Sequence, residues 1–450
     1  MMKQPAAKKT LWQSSAQAAE WIDDFTAAAD RNLDLYLARF DIIGTLAHCR
    51  MLHKIGLLRK DELDRISETL TGIYRDVLEN KFHIEQGVED IHSQIELTLT
   101  RQLGETGKKI HTGRSRNDQI LLDLRLFIRD FIRQIVNQTD ALFTLLIDLS
   151  ERHKDVFLPG YSHMQAAMPS SFGLWFAAYA ESLIDDLDQL HGAYRVINKN
   201  PLGSAAGYGT SLPLDRQMTT DLLAFDELNY NAIYAQMGRG RTERILSQAM
   251  SSFAETLGKL AADIILFMSD NYRFVSFPEE LTTGSSIMPH KRNPDVFELI
   301  RGRCNRIKNL PGEIMMIGTN LPHGYHRDFQ IIKESLIPRL FDLSNCLIRM
   351  HTMLFPVTVN RKIKQDPRYD ILGTVEAVNQ LVLKGVPFRD AYNQVSEQIR
   401  KGTFKPPRNI TYSHIGSSGN LCNDRLIRLK DKAVRSFKFE RQDKMLDLLK

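Results

Sequence analysis

Four separated stretches of the 450-residue chain place reactive or charge-bearing side chains close together. Thr282 to Asp295 reads TTGSSIMPHKRNPD: small residues and hydroxyls (Ser285, Ser286) first, then cations (Lys291, Arg292) and the amide Asn293 ahead of Pro294. Glycine and serine make a flexible loop, and Asn-Pro is a helix-start pattern, with Asn293 as the expected cap and Pro294 in the first turn. Such a loop delivers donors and cations to one place, which suits an anion forming during a reaction. In the helix that follows, Val296, Ile300, Cys304 and Ile307 form a core seam and Glu298 falls off it. His111 to Gln119 reads HTGRSRNDQ and stands just before a very long helical pattern. Ser115, Arg116 and Asn117 therefore offer a hydroxyl, a planar guanidinium and an amide at a helix N-terminus, where carboxylates are favoured. Gly160 to Gln165 reads GYSHMQ and Gly324 to Glu334 reads GYHRDFQIIKE, each a short polar and aromatic stretch. Taken singly, each has an ordinary reading: loop serines, a surface lysine, a solvated carboxylate at Glu298, a core histidine bonded to a carbonyl. A capping segment explains Ser115 or Asn117, but not the arginine between them.

The elements that must hold these residues are helical. From Ser115 to Leu158 there is neither Gly nor Pro, and Leu121, Leu124, Ile128, Phe131, Ile135, Leu142, Leu145 and Leu149 recur at spacings of three, four or seven, which predicts one very long helix. Similar segments run from about Pro169 to Val196, Arg241 to Phe267, Pro294 to Leu310 and Lys333 to Met353, with a shorter one over Asp61 to Asn80. Few alternating β-branched runs occur, so the fold class is all-α, with a central bundle of long helices. The length suggests three domains: 1–110 helical, 111–355 the long-helix bundle, and 356–450 a second short helical set. Long helices that are apolar on more than one face cannot all be covered within one bundle, so a homo-oligomer is expected.

Composition narrows the function classes. Hydrophobic residues are 43% and charged residues 25%, ordinary globular usage that excludes disordered and fibrous classes. Fifty-nine basic against 54 acidic residues leave +5, most of it from nine basic and five acidic residues over Asp424 to Lys450. That is a solvated amphipathic helix rather than a nucleic-acid surface. Cys49, Cys304, Cys346 and Cys422 lie far apart without metal-ligand spacing, so reduced and mostly buried thiols are expected, and no metal. The first residues, MMKQPAAKKTLWQSS, lack the apolar core of a secretory signal, which points to a cytoplasmic location. The charge-free stretch Met164 to Ala180 contains Pro169 and Gly173 and reads as a buried helix rather than a membrane span.

TTGSSIMPHKRNPD resembles the signature loop of the fumarase/aspartase superfamily, whose members eliminate fumarate from succinyl compounds. HTGRSRNDQ and GYSHMQ are closely similar to the argininosuccinate lyase family within it, and GYHRDFQIIKE fits that family's substrate-binding Tyr, Gln and Lys. The resemblance covers nearly the whole chain. It implies reversible cleavage of argininosuccinate to arginine and fumarate, the last step of arginine synthesis, by anti elimination without a metal or organic cofactor. It also implies a homotetramer whose active sites are each built from three subunits. On this resemblance Ser285 is the base, Lys291 the cation that lowers the serine pKa and holds the dianion, and Asn293 a carboxylate donor. His163, oriented by Glu298, assists the leaving nitrogen, although base and acid can be assigned to Ser285 and His163 either way. Ser115, Arg116 and Asn117 would take the succinyl carboxylates, and Ser162, which replaces a threonine common in the family and keeps its hydroxyl, would bind substrate. Tyr325, Gln330 and Lys333 would bind substrate, and His92 in EDIHSQ matches a family histidine.

Two places depart from the pattern. Gly238, Arg239, Gly240 and Arg241 stand where the family has Ser-Asp-Arg-Asp, and Asp30 stands where it has a substrate serine. Both reverse local charge and leave open how the amino-acid end of the arginine half is gripped. Two other readings stay open: adenylosuccinate lyase, because MPHKRNP is closer to its loop, and an inactive structural protein of the δ-crystallin type.

Overall fold

The computed structural model describes residues 20–407 and 410–450; the N-terminal segment read above for a signal lies outside them. Helices α1 (Glu20–Asp34), α2 (Ala38–Lys54), α3 (Lys60–Leu78), α4 (Ile91–Leu103) and the short α5 (Glu105–Lys108) lead to α6 (Arg116–Arg152), the longest element. A hairpin of β1 (Phe157–Ser162) and β2 (Gln165–Ser171) follows, then α7 (Phe172–Ile197) and the short α8 (Arg216–Leu222) and α9 (Ala232–Met237). The bundle is completed by α10 (Arg241–Met268), α11 (Asp295–Ile317) and α12 (Ile332–Leu354), and the chain closes with α13 (Thr374–Leu383), α14 (Phe388–Arg400) and α15 (Asn423–Arg435). Two-residue strand pairs join Lys199–Asn200 to Glu227–Leu228 and Val275–Ser276 to Thr358–Val359. The chain is thus overwhelmingly helical, as the periodicity requires.

Helix α6 packs on α7 and α12, and α10 lies along α11, α7 and α12. A continuous buried core runs from Leu37 to Leu448, and a small separate cluster of Val378, Ala391 and Val395 holds α13 against α14. In α11, Ile300, Cys304 and Ile307 are buried, whereas Val296 is half-buried and Glu298 exposed. Three of the four cysteines are buried and all are free. Among the described residues no helix is long and apolar enough to cross a membrane.

Three local expectations need correction. The long helix stops at Arg152, and the stretch read as a buried helix from Met164 begins as strand β2. The reason is a close approach: a Cβ on Gly173 would lie 2.4 Å from Lys154 Cα, and Ser150 Oγ donates to Gly173 O at 2.8 Å. The chain must therefore break, form a hairpin and re-enter as α7. Helix α11 does not end before Pro311 but runs through it to Ile317, because packing on α10 and α12 outweighs one lost backbone bond. Finally, Asn293 is not the cap of α11. Pro294 occupies that position, and Asn293 turns its amide back to Gly284 O at 3.4 Å.

Candidate active site

Ser115 caps α6. Its Oγ accepts from Asn117 N at 3.2 Å, while Asp118 Oδ1 accepts from Ser115 N at 2.8 Å, closing a capping box. Asp118 Oδ2 also accepts from Gly203 and Ala205 N–H at 3.1 and 3.0 Å. Burial pushes this carboxyl up to about 6, against the pull of those amides. Asp118 thereby ties the helix start to the 203–205 loop, and Arg116 and Asn117 are left facing a cavity of about 210 Å³.

That cavity gathers residues from five regions of the chain: Asp30 and Asp34 of α1, the Glu89–His92 segment, the start of α6, Arg239, and the 325–333 segment. Arg116 donates to Glu89 at 2.5 Å and to Ser93 Oγ at 3.2 Å and lies 3.3 Å from Asp90. Arg327 bonds the other Glu89 oxygen at 2.6 Å. Gln330 Nε2 donates to Thr26 O at 2.6 Å, and Tyr325 stands partly exposed at the rim. Lys333 is buried, its Nζ 2.5 Å from Asp34 and 2.9 Å from Asp30. Burial works against its charge, but the two carboxylates outweigh it and raise its pKa.

Under the cavity floor, His92 Nδ1 is 2.5 Å from Asp41 Oδ2 and 3.5 Å from Asp123 Oδ2. Burial opposes the imidazolium, yet Asp41 raises the histidine pKa, while burial and Asp41 drive Asp123 well up. Asp41, His92 and Asp123 are grouped closely enough for metal ligation. Within the trio His92 and Asp41 hydrogen-bond each other directly through Nδ1 and Oδ2.

The remaining expected site residues lie elsewhere. Ser162 ends β1, and His163 and Met164 form the hairpin turn, both left-handed at φ 53° and 59° and both exposed. Non-glycine residues at such a φ each cost about 1–2 kcal/mol, so the hairpin holds His163 at its tip against local preference. Ser285 is half-buried in its loop, its Oγ accepting from Met288 N at 3.2 Å, and Lys291 N donates to Met288 O at 3.0 Å. Thr283 and Asn293 pair as a bridge at the loop's base. Two successive turns that meet at Met288 thus link Ser285 to Lys291, with Lys291 exposed. Glu298, also exposed, lies 3.9 Å from Arg301 and not beside His163. Within one chain, then, Arg116, Asn117, Tyr325, Gln330 and Lys333 come together, Ser115 supports them, and the Ser285 loop and the Ser162–His163 hairpin each stand apart.

Asp34, Glu89, Asp90, Asp118 and Arg327 were not singled out by the sequence. EDIH before α4 was the available signal: Asp90 caps that helix through Ser93 N at 2.8 Å, and Glu89 anchors two of the three cavity arginines, Arg116 and Arg327. The Gly238–Arg241 departure has a backbone logic. Gly240 adopts φ 76° to start α10, where an arginine side chain would be strained, and Arg239 turns inward to donate to Phe329 O at 2.9 Å.

A family profile described as lyase matches residues 14–308. The chain is 54% identical to argininosuccinate lyase of Parabacteroides distasonis over 433 residues, covering 96% of this chain and 97% of that protein. It is 38% identical to argininosuccinate lyase of Thermotoga neapolitana over 86% of this chain and 98% of that one. Among solved structures, an EDDS lyase in complex with formate aligns with a TM-score of 0.75 at 22% identity, over 97% of each chain. Class II fumarase from Schistosoma mansoni aligns at 0.68 and 17% identity, over 82% of this chain and 88% of that one.

Proposed function

The chain belongs to the argininosuccinate lyase family, a group of carbon–nitrogen lyases, and from that premise we propose how its residues divide the cleavage of argininosuccinate into arginine and fumarate. The observation that carries the reading is the cavity itself: Arg116 and Asn117 at one helix start and Tyr325, Gln330 and Lys333 some two hundred residues later share one wall. A substrate with carboxylates at both ends needs such spaced donors. The full-length similarity to argininosuccinate lyases favours this substrate over adenylosuccinate and over an inactive structural role.

The chemistry requires removal of a proton next to a carboxylate, giving an aci-carboxylate dianion that donors and cations must stabilise as it forms. Ser285 Oγ takes that proton. Lys291 and the loop amides hold the dianion, and Asn293 donates to a substrate carboxylate, joined by Ser115, Asn117, Ser162 and Arg116. The C–N bond then breaks, and His163, steadied by Glu298, gives a proton to the departing guanidinium nitrogen. Because the Ser285 loop and the His163 hairpin stand apart from the cavity in one chain, each site draws on three subunits of a homotetramer. The exposure of both segments, and helices apolar on several faces, support this assembly. Division into domains at 110/111 and 355/356 and a cytoplasmic location are parts of the same reading.

The test is fumarate release, followed by ultraviolet absorbance, from argininosuccinate and from adenylosuccinate. Turnover of the first alone is expected; turnover of adenylosuccinate, or of neither by folded protein, would overturn the proposal.

A further inference from the structure

The cavity is not electrically uniform. Along most of its wall acids and bases balance: Arg116 with Glu89 and Asp90, Arg327 with Glu89, and Arg239 with Glu243 at 3.3 Å. At the Lys333 end one ammonium lies between two carboxylates, Asp34 and Asp30. Asp34 is engaged on both sides, because its Oδ2 also accepts from Ile91 N at 3.4 Å. Asp30 is not. Its Oδ1 has only the 2.9 Å contact with Lys333, and among the described residues it forms no other ion pair. Asp30 and Asp34 are one turn apart on α1, so both face the same way. A buried carboxylate on a cavity wall, sharing its ion-paired lysine with a neighbour, is placed to receive a further cation from a ligand.

Resting on the reading of the cavity as the substrate site, we infer that Asp30 is its specificity-determining residue, receiving the α-ammonium of the amino-acid end of the arginine half. Tyr325 and Gln330, on the same wall, are then left for the α-carboxylate. A serine at this position offers only a neutral hydrogen bond, whereas Asp30 adds a full charge that a ligand must match. A ligand with a neutral group in place of the ammonium leaves that carboxylate buried and unpaired, which is how a polar site rejects a near-isostere. The inference thus assigns a task to a residue that departs from the family pattern.

The experiment runs the reaction in reverse, adding fumarate to arginine or to the arginine analogue whose α-amino group is replaced by hydroxyl. Wild type should favour arginine. In Asp30→Asn and Asp30→Ser, KM for arginine should rise about 10-fold to 10²-fold with kcat nearly unchanged, because the contact is remote from the breaking bond. The preference for arginine should fall by the same factor, a change that loosened packing would not produce. Unchanged preference in a variant with wild-type kcat would overturn the inference while leaving the reaction intact. Equal use of both compounds by wild type would overturn it even if neither variant folded. No consumption of fumarate by wild type would instead overturn the functional reading itself.

Discussion

Lys333→Met removes the cation shared by Asp30 and Asp34 while keeping a similar volume. All three side chains are almost fully buried, with 4%, 10% and 1% exposure for Lys333, Asp30 and Asp34. Breaking a buried pair by deleting one partner costs about 3–5 kcal/mol, because the remaining charge is left without compensation. The cost has a ceiling, since Asp30 can take up a proton. From an ordinary 3.8, that uptake costs about 4 kcal/mol at pH 7, at about 1.4 kcal/mol per pH unit. Burial already raises Asp30 above its ordinary value, with Lys333 opposing the rise, so the substitution raises it further. A carboxyl whose folded pKa lies above its unfolded value contributes stability that is complete below the unfolded pKa and is lost as pH rises through the folded one. The deficit of the variant should therefore be small near pH 4.5 and grow to about 4 kcal/mol near pH 7. Urea unfolding of both proteins at the two pH values measures it. A deficit below about 1 kcal/mol at pH 7, or one independent of pH, would refute the description of this end of the cavity as a dry, over-acidic cluster held by one lysine.

Ser285→Ala should reduce kcat by about 10²-fold to 10⁴-fold, the range for loss of a general base, while substrate binding measured by calorimetry survives. Near-wild-type turnover would move the base elsewhere, first of all to His163. Replacement of His163 and Glu298, singly and together, should give effects that do not multiply, as for residues acting as a unit; independent effects would separate them.

The sequence made the framework legible where one physical signal dominated. The unbroken spacing after Ser115, with a hydroxyl, a guanidinium and an amide at its beginning, specified the start of α6 within a residue. Its far end was illegible, because the helix ends at Arg152 where Ser150 and Lys154 approach Gly173, a contact that is close only in space. The hairpin that follows was misread for another reason: a short apolar run of mixed residues has no periodicity that separates strand from buried helix. Candidate site residues were found where motifs clustered, as with Arg116, Asn117, Tyr325, Gln330 and Lys333. Asp34, Glu89 and Asp90 were missed because their roles are ion pairs with partners on distant helices. The separation of His163 from Glu298 was also beyond reach, since spacing along a chain does not tell which exposed loops face a cavity.

In the proposed assembly the cavity of one chain meets the Ser285 loop and the His163 hairpin of other copies. Mixing inactive Ser285→Ala protein with inactive His163→Asn protein, followed by verified subunit exchange, tests it most directly. Some sites in the mixed assemblies would then draw an intact serine from one parent and an intact histidine from the other. Partial recovery of fumarate release is the expected result; no recovery after exchange, or a fully active monomer in light scattering, would contradict the claim.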